Sequence, residues 1–122
     1  MVRIPADEDE KPLIWMGTSL DDLKEFPDPV QDDIGAALSA AQFGHKAPSA
    51  KPWQGEGPGV FEIVDDLRTD TYRAVYTVRF PGAVYVLHAF QKKSRSGRRT
   101  DRQDVQMITR RLKEAQRHYE QE

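Results

Sequence analysis

Apolar residues in this chain recur with two spacings, and the change between them separates helical from extended segments. In the first third, Val30, Ile34, Ala37, Leu38 and Ala41 repeat at intervals of three and four, which gathers them on one helical face. A helix is predicted over residues 30–43, stopped at Gly44, a residue suited to a C-terminal cap. Pro27 and Pro29 punctuate the chain just before it, where a first helical turn tolerates proline. A shorter helix is predicted over residues 20–26. Thr18 and Ser19 supply hydroxyls at its start, and Asp21 and Asp22 place acids at the positive end of its dipole. Ahead of it, PLIWMG (residues 12–17) is a short apolar run bounded by Pro and Gly, read as a buried strand.

Beyond residue 59 the spacing falls to two. VFEIV (60–64), YRAVYTVRF (72–80) and AVYVLHAF (83–90) read as three strands. The short connections, one of them the Pro81-Gly82 turn, make antiparallel neighbours. Strict alternation places Tyr72, Ala74, Tyr76, Val78 and Phe80 on one face of the middle strand and Arg73, Val75, Thr77 and Arg79 on the other. On the third strand it places Val84, Val86, His88 and Phe90 together, opposite Tyr85, Leu87, Ala89 and Gln91. Residues 45–59, rich in Pro, Gly and Lys, read as a loop anchored on the core by Trp53. Helical spacing returns over residues 101–119, with Val105, Ile108, Leu112, Ala115 and Tyr119 on one face. The expected fold is α+β: an N-terminal strand and helical hairpin packed on an antiparallel β-meander, then a C-terminal helix.

The 122 residues are expected to form one domain, with residues 1–11 disordered because PADEDEK carries charge and no apolar anchor. With no cysteine, disulfide frameworks and thiolate chemistry are excluded. The first residues do not read as a signal peptide, and no run approaches the roughly 20 apolar residues of a membrane span. No membrane association and a cytoplasmic location are therefore expected. The net charge of -2 hides an asymmetry. Residues 1–33 carry 3 basic and 10 acidic side chains, whereas residues 88–118 carry 10 basic and 3 acidic. The local balance near the C-terminus suits a polyanion; the same charges also fit a solvated face.

That basic density begins where the third strand ends, in LHAFQKKSRSG (87–97). Arg73 can present a rigid donor fork matched to phosphate, or pair with Glu62 or Asp65 on the neighbouring strand. Lys92 and Lys93 leave the strand on opposite sides, and a lysine close to other cations can have a lowered pKa and accept protons. On the residues alone, a pair of exposed solubilising lysines is the favoured reading. His88, on a largely apolar face, reads as a satisfied core histidine sooner than as a catalyst. His45, His88 and His118 lack metal-ligand spacing, and no Walker, Rossmann or G-x-S-x-G motif occurs. No metal and no cofactor are expected. Cations interleaved with Tyr72, Tyr76 and Phe90 suggest single-stranded RNA, with phosphates on the cations and bases on the rings.

These pieces together resemble the RelE/HigB superfamily of type II toxins, closest to its phage-derived, HigB-like branch. The likeness rests on YRAVY (72–76), VYVLHAFQKKS (84–94) and WQGEGPGVFEI (53–63), and covers roughly residues 50–120. It departs at Val64, where the family commonly has Arg, and in the basic SRSGRRT segment, which lacks the family's Pro. The resemblance implies helices on one face of an antiparallel sheet. It implies a metal-independent endoribonuclease that cuts mRNA in the ribosomal A site. Catalysis would fall to Arg73, Lys92 and Lys93, and RNA binding to Arg68, His88, Gln91, Arg95, Arg98 and Arg99. The implied partners are the ribosome with its mRNA and a neutralising helix-turn-helix antitoxin of the HigA kind. The related ParE-type branch, which inhibits gyrase by binding, and a non-catalytic relative that only binds antitoxin or RNA remain open.

Overall fold

The computed structural model describes residues 10–92 and 101–121. Five strands form one sheet: β1 (Leu13–Trp15), β2 (Ala50–Pro52), β3 (Val60–Leu67), β4 (Asp70–Thr77) and β5 (Val84–Lys92). Their order is β1-β5-β4-β3-β2. Strands β2 to β5 pair antiparallel, while β1 pairs parallel to β5, with Ile14 opposite Tyr85. The helices are α1 (Ser19–Lys24), α2 (Asp28–Gln42) and α3 (Arg102–Gln121). Among the described residues no helix is long and apolar enough to cross a membrane.

The local signals in α2 act as expected. Pro29 sits in the first turn, where its missing N–H removes no helical bond. Gly44 ends the helix at φ +85°, with its N–H bonded to the Ala41 carbonyl and the His45 N–H to the Ala40 carbonyl at 2.8 Å. This pair of bonds is a Schellman cap, and it satisfies carbonyls that the helix end would otherwise leave open. Lys11, at the end of the segment expected to be disordered, is tied to Gln42: its N–H donates to the Gln42 carbonyl at 2.9 Å, and its carbonyl accepts from Gln42 Nε2.

Three features differ from the sequence expectation. First, the helices occupy both faces of the sheet. α1 and α2 bury Leu23, Val30, Ile34 and Leu38 against Ile63, Ala74, Tyr76 and Val86. α3 buries Ile108, Leu112 and Ala115 against Val75, Tyr85 and Leu87 on the other side. The sheet is apolar on both faces, so each needs a cover.

Second, the segment read as a loop contains a strand. β2 pairs with β3 through Ala50–Ile63, Lys51–Glu62 and Pro52–Phe61. Pro52 is acceptable there because β2 is the last strand of the sheet and needs no outward N–H. Trp53 does anchor the segment: it is buried, and its N–H donates to the Val60 carbonyl at 2.9 Å.

Third, β5 does not alternate strictly. Tyr76 pairs with Val86 but Val75 pairs with His88, so Leu87 is an extra residue. This β-bulge turns His88 and Phe90 onto the face of Tyr85 and Leu87, away from Val84 and Val86. The expected grouping of Val84, Val86, His88 and Phe90 is therefore corrected: the latter two face α3.

Candidate functional site

The face turned towards α3 carries charged groups in three successive cross-strand rows. Lys51, Glu62, Val75 and His88 form the first; Val64, Arg73 and Phe90 the second; Asp66, Thr71 and Lys92 the third. Side chains directly opposite on a ladder point to the same side. Glu62 and Arg73 are thus diagonal neighbours, and Arg73 Nη1 donates to Glu62 Oε1. Both side chains are largely buried, 10% and 12% exposed respectively. Arg73 Nε is buried without an acceptor among the described residues.

Lys92 lies one row further on. Partial burial is the main influence lowering its pKa, the Arg73 and Lys51 cations lower it further, and Glu62 acts in the opposite sense. The net direction is towards the neutral amine, as expected for a lysine placed beside cations. Asp66 is engaged separately, accepting a bond from Thr71 Oγ1 at 2.7 Å.

His88 sits where this face passes beneath α3. Its Nε2 lies 2.7 Å from Asp104 Oδ1, its Nδ1 lies 3.3 Å from Arg111 Nη1, and its ring stacks on Phe90 at 4.9 Å between centroids. A guanidinium only donates, so Nδ1 accepts and the proton of the neutral ring resides on Nε2, pointed at Asp104. Arg111 also donates to the Leu87 carbonyl at 3.0 Å and to Thr18 Oγ1 at 3.2 Å. This buried guanidinium joins α3 to the bulge and to the start of α1. Its pKa is pulled down mainly by burial, with Asp22 and Glu114 opposing.

Of the sequence-predicted site residues, Arg73 and Lys92 come together on one face. His88 shares that face but is buried, with both ring nitrogens engaged. Gln91 is opposite Tyr72, so it points to the other face. Arg68 occupies the two-residue turn between β3 and β4 at φ +58°. Lys93, Arg95, Arg98 and Arg99 lie outside the described residues. The interleaving of cations and aromatics becomes a separation by face: Tyr72 and Tyr76 are buried on the α1–α2 side, against Phe26 and Phe61. Only Phe90 stands beside Arg73, and it is buried too.

Sequence reasoning missed the place of Lys51, because β2 read as a loop, and those of Asp104 and Arg111, because nothing local joins α3 to β5. It weighed Glu62 only as a possible Arg73 partner. The alternation of β3 was the available signal, since it puts Glu62 on the face of its neighbour's arginine. Across the ladder Val64 stands directly opposite Arg73.

This arrangement defines a RelE-like fold. The chain is similar to the crystal structure of the isolated E. coli RelE toxin, with a TM-score of 0.53 and 19% identity, over 70% of this chain and 89% of that one. At that identity the likeness is one of fold. Residues 21–113 match the family described as phage derived protein Gp49-like, and the chain belongs to that family. No curated protein sequence matches it.

Proposed function

We propose that this chain is the toxin of a type II toxin–antitoxin system, acting in the cytoplasm as a metal-independent endoribonuclease on mRNA held by the translating ribosome. The observation that carries this reading is the convergence of Arg73 and Lys92 on one sheet face, with a buried guanidinium donor left over and a lysine shifted towards its neutral form. RNA can be cut by its own 2′-hydroxyl. Lys92 accepts that proton as the 2′-oxygen bonds to the adjacent phosphorus. Arg73 stabilises the charge that develops on the phosphorane oxygens, the kind of electrostatic help that is usually the largest catalytic contribution. The bond to the 5′-oxygen then breaks, and that oxygen takes up a proton from solvent water, while the Lys92 ammonium returns its proton to solvent. The ribosome positions the strand, which a small open face cannot do alone. Lys93, Arg95, Arg98 and Arg99 follow Lys92 in the sequence.

The proposed partners are the mRNA-loaded ribosome and a helix-turn-helix antitoxin of the HigA kind. Growth of cells expressing the chain under a tight promoter tests the reading. Arrest is expected, relieved by Arg73→Ala at equal levels of folded protein and by co-expression of such an antitoxin from the same operon. Undiminished arrest by a folded Arg73→Ala protein would remove the assigned site. One observation favours a second reading, ParE-like binding to gyrase. Val64 faces Arg73 where the resembled family carries a further arginine, and Glu62 already occupies part of the Arg73 fork. Trapped gyrase–DNA breaks in place of RNA ends would select it.

A further inference from the structure

Lys51 lies on β2, opposite Glu62, on the face that carries Arg73 and Lys92. It is exposed, and among the described residues its ammonium makes no ion pair. Glu62, its cross-strand neighbour, is bonded to Arg73 instead. With Asp66, which shares the row of Lys92, the five charges Lys51, Glu62, Asp66, Arg73 and Lys92 sum to +1, held on a scaffold of four adjacent strands. β2 and β5 are three strand spacings apart, about 14 Å, and Lys92 lies two rows further along the sheet than Lys51. Lys51, on the edge strand β2, and Lys92, on β5, thus stand on either side of the β4 strand that carries Arg73. They are close enough for the charge of Lys51 to act on Lys92, adding to the effect of burial and of Arg73. Like charges gathered this way repel one another, and a bound anion relieves the repulsion.

We propose that Lys51 is a phosphate-binding residue, and that the RNA strand crosses the sheet from the β2 edge to β5, contacting Lys51 with a phosphate other than the one held at Arg73. The inference rests on the reading of this face as an RNA-binding surface. It makes β2 part of the binding site, where it serves to hold a cation at a fixed distance from the cleavage point. Lys51 binds the strand and takes no part in proton transfer.

Salt dependence separates this role from a structural one. Each phosphate contact to a single strand contributes about 0.7 to the slope of log affinity against log salt. Binding of a fluorescent single-stranded oligoribonucleotide is measured across a salt series for the wild type, Lys51→Ala, Lys51→Arg and Lys24→Ala. Lys24 is an exposed lysine on α1 and serves as the control. The slope is expected to fall by about 0.7 in Lys51→Ala and to stay at the wild-type value in Lys51→Arg and Lys24→Ala. An unchanged slope in Lys51→Ala, with the wild type binding, would overturn the role of Lys51 and leave the RNA-binding reading standing. Absence of salt-dependent binding by the wild type would overturn direct RNA binding by this face, Lys51 included, while cutting of translated message is decided separately in a translation reaction.

Discussion

Leu87 and His88 are consecutive, yet both face α3, because Val75 pairs with His88 while Tyr76 pairs with Val86. The extra residue delivers His88 to Asp104 and Arg111 and leaves Ala89 to resume the opposite face. His88→Ala removes an acceptor from a buried guanidinium, a donor from Asp104 and a ring from Phe90. We expect a loss of about 2–3 kcal/mol in urea unfolding. A loss below the error of the measurement would show that the network is not holding α3 in place.

Gly17 meets Arg111 at the other end of that network. Its φ is +55°, and a Cβ there would lie 2.6 Å from Arg111 Nε. Gly17→Ala therefore combines backbone strain with displacement of the guanidinium from Leu87 and Thr18. The expected cost is roughly 2–4 kcal/mol, read as a fall in Tm. Gly35→Ala, where a Cβ meets nothing, is the matched control and should be neutral or slightly stabilising in its helix.

The other face carries a pH-dependent contact. Burial, then a hydrogen bond and charge from Asp33, with Asp66 adding, raise the Asp65 carboxyl from 3.8 to about 6. The folded state therefore holds a proton that the unfolded chain has lost. Its contribution is fully favourable below pH 4 and is lost as pH rises towards 6. Asp65→Asn should stabilise the protein by on the order of 2 kcal/mol at pH 7.5 and by little at pH 4. Urea unfolding at the two pH values measures this, and equal effects at both would contradict the Asp33–Asp65 pairing.

Glu62 is the one acid among the cations of the first two rows. Glu62→Gln raises their net charge by one and leaves Arg73 without its carboxylate. RNA affinity is expected to rise, and stability to fall by about 1–3 kcal/mol. The gain in affinity should vanish at high salt, as a charge effect must.

Much of this was legible locally. The period of α2, its Gly44 cap and the β3–β5 meander all follow from short-range spacing, whereas the convergence of Arg73 with Lys92 depends on the bulge. What escaped is non-local. β2 is a strand only because β3 pairs with it; Lys51 and Pro52 have no strand preference of their own. The bulge at Leu87 reverses the faces of His88 to Lys92 through a change in pairing that leaves no mark in VYVLHAF. The parallel placement of β1, and α3 lying on the opposite face from α1 and α2, depend on which apolar surfaces remain to be covered.

The deciding measurement is the map of mRNA 5′ ends in a bacterial translation reaction containing the purified protein, set beside the same RNA without ribosomes. New ends are expected only on translated message, and Arg73→Ala should slow their appearance by roughly 10²–10³-fold. No new ends with translation undisturbed, or equal cutting by a folded Arg73→Ala protein, would contradict the assignment of this face as a ribosome-dependent nuclease site.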